Sequence, residues 1–82
     1  MNNNNINVAA FHVLNLISRG VSTEKQIASE LAADGEGRNI LARDLRAPGR
    51  QIDVLERQGL IAFVGDTAVL TNKARATAFK VI

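Results

Sequence analysis

Eighty-two residues with no cysteine and a single histidine exclude a disulfide framework, a thiolate metal site and a histidine-based zinc cluster within one chain. Apolar residues at 46% against 22% charged mark a folded globular chain, and the length accommodates one domain with a thin core. The net charge of +2 conceals an uneven distribution, because residues 1–37 sum to −2 and residues 38–82 to +4.

In chain order, the asparagine run of residues 1–6 has little to bury and is expected to be a disordered tail, leaving residues 7–82 as a single domain. Asn7 is placed to cap a first helix reaching Arg19. Its Val8, Phe11, Val13, Leu14, Leu16 and Ile17 cover most of the circumference and leave a polar stripe of His12, Asn15 and Arg19. Gly20 stops it. Thr23 and Gln26 have the spacing of a capping box at the start of a second helix, which buries Ile27, Ala28, Leu31 and Ala32.

Asp34-Gly35-Glu36-Gly37 reads as a turn. Beyond it, Ile40, Leu41 and Leu45 repeat at helical intervals and predict a short third helix over Arg38–Arg46. Pro48 favours a first helical position, so a fourth helix is expected over Pro48–Gln58 with Ile52 and Leu55 inside and Gly59 as its stop. Leu60–Val64 and Ala68–Leu70 are strand-like and flank Gly65-Asp66-Thr67, which suits a tight hairpin. Thr71 then caps a last helix from Asn72 to about Lys80, with Ala74 and Phe79 available to pack on the first.

The order of helices, two-stranded hairpin and closing helix predicts an α+β, mostly helical fold. Val54-Leu55-Glu56-Arg57-Gln58-Gly59-Leu60-Ile61 resembles the end of the recognition helix and the start of the wing in the multiple-antibiotic-resistance and phenolic-acid-repressor families of transcription regulators. Leu70-Thr71-Asn72-Lys73-Ala74 is similar to their Leu-Thr-x-x-Gly segment, with alanine at the glycine position, and Gln26-Ile27-Ala28-Ser29-Glu30-Leu31-Ala32 is similar to their second helix. The resemblance implies a winged helix-turn-helix with three or four helices, a two-stranded β-hairpin wing and a C-terminal helix.

It further implies a sequence-specific regulator that binds double-stranded DNA, with the helix of residues 48–58 in the major groove. Arg50 would fork onto guanine and Gln51 onto adenine, with Asp53 and Val54 beside them. Arg43, Arg46 and Lys73 would meet phosphates, and Arg57 completes the DNA-binding set. Taken singly, each arginine reads as a solvated helix position, with Arg57 answering Asp53 across four residues; five arginines within residues 38–57 favour DNA. The nearly all-apolar first helix suggests a homodimer through Val8–Ile17 and the C-terminal helix.

No nucleophile elbow, paired-carboxylate setting or phosphate loop is recognisable, so no enzyme, metal or cofactor is expected. Three phenylalanines are too few for a base-stacking platform. No apolar run approaches the ~20 residues of a membrane span and no secretory signal is evident, so the expected location is the cytoplasm and no membrane partner is expected. The rival expectation is a winged helix that binds protein, as in a small phage or mobile-element protein that inhibits a host protein. It rests on the acidic hairpin tip at Asp66 and the modest net charge.

Overall fold

The computed structural model describes residues 3–82. Its elements are β1 (Asn3–Ile6), α1 (Val8–Ser18), α2 (Glu24–Ala33), α3 (Gly35–Arg43), α4 (Ala47–Arg57), β2 (Ile61–Val64), β3 (Thr67–Leu70), α5 (Asn72–Ala76) and β4 (Ala78–Val81). The class is α+β and mostly helical.

Short side chains define the helix starts. Asn7 Oδ1 accepts the Ala10 N–H at 2.8 Å, Thr23 Oγ1 accepts the Gln26 N–H at 3.2 Å, and Asp34 Oδ1 accepts the Gly37 N–H at 2.9 Å. Each satisfies a donor that the first helical turn leaves free. The expected turn at Asp34–Gly37 is therefore the capped start of α3, which begins and ends three residues before the predicted span of Arg38–Arg46. Gly37 is buried where α3 crosses α2: a Cβ there would lie 2.6 Å from the Leu31 Cα and closer still to its carbonyl oxygen. The glycine permits backbone contact between two helices. Because α3 ends at Arg43, Leu45 falls outside it and is 84% exposed, against the expectation that it continues the buried row of Ile40 and Leu41.

The core joins α1, α2, α4 and the hairpin. Val13, Ile27, Leu31, Leu55 and Leu60 are its largest fully enclosed side chains, each contributing roughly 1.5–3 kcal/mol by leaving water. In α1 the residues Ala10, Val13, Leu14, Leu16 and Ile17 are all buried within the chain. The apolar excess that suggested a dimer is thus mostly internal, and only Val8 and Phe11 stay more than a third exposed.

Strands β2 and β3 pair antiparallel from Ile61 opposite Leu70 to Val64 opposite Thr67, through the two-residue turn Gly65-Asp66. The Ala68 N–H donates to the Ser22 carbonyl at 2.8 Å, tying β3 to the connection between α1 and α2. At the C-terminus of α4, Gly59 takes φ +74°, as a helix-stopping glycine does. The Thr71 hydroxyl donates to its carbonyl at 2.6 Å and accepts the Ala74 N–H at 3.2 Å.

Both chain ends depart from expectation. Residues 3–6 of the supposed tail form β1, parallel to β4 from Asn3 beside Ala78 to Ile6 beside Val81, with Ile6 in the core; Met1 and Asn2 lie outside the described residues. The last helix stops at Ala76 instead of about Lys80, and residues 78–81 extend along β1. Phe79 still reaches α1, its ring 6.5 Å from that of Phe11 in an edge-to-face arrangement, but does so from a strand.

Candidate nucleic-acid interface

Helix α4 divides into two faces. Ala47, Pro48, Gln51, Ile52 and Leu55 point inward. A helix advances about 100° per residue, so Arg46, Arg50, Asp53 and Arg57 fall within about 60° of one another on the outer side. All four are exposed. The stripe begins at Arg46, the N-cap residue, and ends one turn before the hairpin. Three guanidinium groups and one carboxylate thus lie along one helix edge.

The amino-terminal end of this stripe is electrostatically mixed. Arg50 Nε donates to Asp44 Oδ2 at 2.7 Å, and Asp44 Oδ1 accepts the Arg46 N–H at 3.0 Å. Glu24 reaches in from α2: its carboxylate oxygens lie 3.2 Å from where a Cβ on Gly49 would stand. A carboxylate at that place is favoured by the positive end of the helix dipole. Glu24 and Arg50, together with Leu45, Arg46, Pro48 and Asp53, border an open depression of about 510 Å³.

The predicted contacts divide. Arg46, Arg50, Asp53 and Arg57 share the outer stripe, and Val54 is half-buried at its margin. Gln51 is only 9% exposed on the inner face, so its expected approach to adenine is corrected. Arg43, the last residue of α3, borders a different groove together with Gln51 and Glu36 and does not join the stripe. Lys73 is engaged at the far end of α4, where its Nζ donates to the Gln58 carbonyl at 2.7 Å. That contact satisfies a free C-terminal carbonyl of the helix. No ion pair links Arg57 to Asp53 among the described residues; the two present are Arg50 with Asp44 and His12 with Asp34, the latter at 3.7 Å.

Sequence reading missed Asp44, Glu24 and Leu45 as parts of this surface. Asp44 carried a local signal, since an aspartate two residues before a free N–H favours an Asx turn. The placement of Glu24 depends on how α2 crosses α4, which no local pattern reveals.

The hairpin presents Phe63, Val64 and Val69 to solvent at 39%, 70% and 38% exposure, and its tip carries Asp66 with no lysine or arginine from Ile61 to Leu70. Among the described residues no three histidine, cysteine or carboxylate side chains gather to hold a metal ion, and no helix is long and apolar enough to cross a membrane. The chain matches no family model, no curated protein and no solved structure.

Proposed function

We propose that the protein is a duplex-DNA-binding regulator of winged helix-turn-helix type, with α4 as the recognition helix. The observation that carries the reading is the outward stripe of Arg46, Arg50 and Arg57 on a helix that runs directly into a hairpin. A helix about 10–12 Å across fits the major groove, where arginine forks onto guanine and meets phosphates on either side. The rung between Ala68 and Ser22 supports it further, because it fixes the hairpin against the connection before α2 and holds it beside the recognition helix.

Relative to the sequence expectation, the contact set contracts to Arg46, Arg50, Asp53 and Arg57, with Val54 at the edge. The hairpin has no basic side chain for a narrow minor groove, so affinity rests on α4. The test is fluorescence anisotropy of labelled genomic duplexes at 50 and 200 mM salt. Binding through three arginines should fall with a logarithmic slope near −3, at about −0.9 per phosphate neutralised. Affinity that does not change with salt would overturn the reading.

A second reading, binding to a protein, is favoured by one observation. Leu45 is 84% exposed beside Arg46 and Arg50, and Glu24 and Asp53 border the same depression. Arginine and apolar anchors with balanced charge suit a protein interface. Salt-insensitive capture of a protein that Leu45→Asp abolishes would favour that reading over DNA.

A further inference from the structure

In the hairpin sheet β3 lies between β2 and Ser22, because the Ala68 N–H donates to the Ser22 carbonyl at 2.8 Å and so points away from β2. Phe63, opposite Ala68, therefore sits in a non-hydrogen-bonded pair, and the hairpin bonds run between Ala62 and Val69 and between Val64 and Thr67. The backbone N–H and C=O groups of Ile61 and Phe63 face the other way, out along the free edge of β2. Neither group of Phe63 finds a partner among the described residues.

Proteins ordinarily blunt such an edge with a lysine, a proline, an inward charge or a bulge. The edge of β2 has none of these: Leu60 to Val64 is an unbroken apolar run, and its register with β3 is continuous. The outer strand β4 of the other sheet, by contrast, carries Lys80. Side-chain exposure rises along β2 from buried Ile61 to exposed Phe63 and Val64, so the accessible part of the edge centres on Phe63 and not on Ile61.

This edge is complementary to a second copy of itself. With Phe63 opposite Phe63 of the second copy, a two-fold axis sets Ala62 against Val64 and Ile61 against Gly65 in both directions, and the outward backbone groups of Phe63 exchange hydrogen bonds. The two Phe63 rings then lie side by side on one face of the sheet, and Ala62 meets Val64 on the other. Charge permits the approach. Asp66 is the one charged side chain from Leu60 to Leu70, and this register puts it opposite Leu60 of the second copy, about 20 Å along the strand from the second Asp66.

We propose that the chain forms a two-fold dimer by antiparallel pairing of β2 with β2 of a second copy about Phe63, giving a four-stranded sheet in the order β3, β2, β2, β3. The dimer does not rest on the DNA reading, because no residue of the α4 stripe takes part in it.

One strand edge against another falls below the ~1,200 Å² at the lower end of stable interfaces, so the association is weak and the test extends to high concentration. Amide spectra of the full-length, ¹⁵N-labelled chain are followed from ~20 μM to ~1 mM in ~150 mM salt without DNA. Saturable shifts are expected at Ile61, Phe63 and Gly65, and sedimentation equilibrium should fit a monomer and a dimer. In a mixture of ¹³C-labelled and unlabelled chains, the Hα atoms of Ala62 and Val64, which approach closely in a non-hydrogen-bonded pair, should give an intermolecular Overhauser effect. Val64→Lys puts a charge on the exposed edge and should weaken association about tenfold or more. Val64→Thr, uncharged and equally suited to a strand, should leave it within about twofold. A chain that sediments as a monomer at ~1 mM, a dimer without the contact between Ala62 and Val64, or equal association by folded Val64→Lys would each overturn the proposal. That contact is read on the unaltered chain, so it decides the matter whether or not a variant folds. None of these outcomes touches DNA binding, which the anisotropy measurement reads separately.

Discussion

Asp44 holds Arg50: the arginine Nε donates to Asp44 Oδ2 at 2.7 Å, and the other carboxylate oxygen accepts the Arg46 N–H at 3.0 Å. One aspartate thus fixes the turn before α4 and restrains the arginine proposed to read a base. The Arg50 side chain is 59% exposed, so the pair contributes little to folding. On the proposed DNA reading its larger effect is on binding, because the guanidinium would have to leave Asp44 to fork onto guanine. Asp44→Asn keeps an oxygen for the Arg46 N–H and removes the charge. It should tighten duplex binding and steepen the salt dependence by up to about one phosphate equivalent, while shifting stability by less than about 1 kcal/mol. Anisotropy across a salt series, together with urea unfolding, measures both; weaker binding by this variant would show that Arg50 makes no contact.

On the proposed DNA reading, the stripe divides into base-reading and anchoring positions. Arg50→Ala should cost about 1–3 kcal/mol of binding free energy and relax preference at one base pair, whereas Arg46→Ala should weaken all duplexes alike. Gln51→Ala should leave base preference unchanged, since its side chain faces inward. Competition between a selected duplex and single-base variants distinguishes these outcomes, and a Gln51 substitution that altered preference would mean α4 presents its other face to DNA.

Thr71 makes a prediction about folding alone. Its hydroxyl donates to the Gly59 carbonyl and accepts the Ala74 N–H, joining the end of α4 to the start of α5. Thr71→Val keeps the shape and loses both bonds, at a cost of about 1–2 kcal/mol. The urea midpoint should fall with an unchanged slope.

Much of this architecture was legible because its signals are local. Asn7, Thr23 and Thr71 act as caps where their spacing predicts, and the Gly65-Asp66 turn joins the two strands expected around it. The chain ends were not legible. Asparagines at residues 3–5 have poor strand propensity and the alanines before residue 79 favour helix, yet the two segments pair across more than seventy residues of chain. Such long-range pairing has no local signature. The burial of Gln51, by contrast, was available from periodicity: it stands three residues after Pro48 and four before Leu55, on the face those two residues define. Its amide suits base recognition, but its position on the helix turns it toward the core.

Gly37 tests the helix crossing. An added Cβ would meet the backbone of Leu31, which cannot swing aside as a flexible side chain can. Gly37→Ala should therefore destabilise by about 1–3 kcal/mol or more despite the better helix propensity of alanine. Gly35→Ala, in the same turn but open apart from the Arg38 side chain, should be neutral or stabilising. Thermal unfolding of the two variants side by side separates steric contact from helix propensity.

Asp34 gives the acid limb of stability its sign. The Gly37 N–H bonded to its carboxylate holds the aspartate below its ordinary value of 3.8, against the opposing effect of desolvation and with lesser help from His12, the Glu36 N–H and Arg38. Folding therefore favours the charged form, and the unfolded chain takes up the proton first as acid is added. The stabilisation is fully present well above pH 3.8 and is lost as the pH falls from that value through the lower folded one. Asp34→Asn retains a good cap but does not titrate. The wild-type chain should lose stability relative to this variant below pH 4 or so, with the two curves parallel above it. Carboxyl ¹³C shifts of Asp34 read the folded titration directly, and a midpoint at or above 3.8 would mean that the Gly37 bond does not select the ionised form.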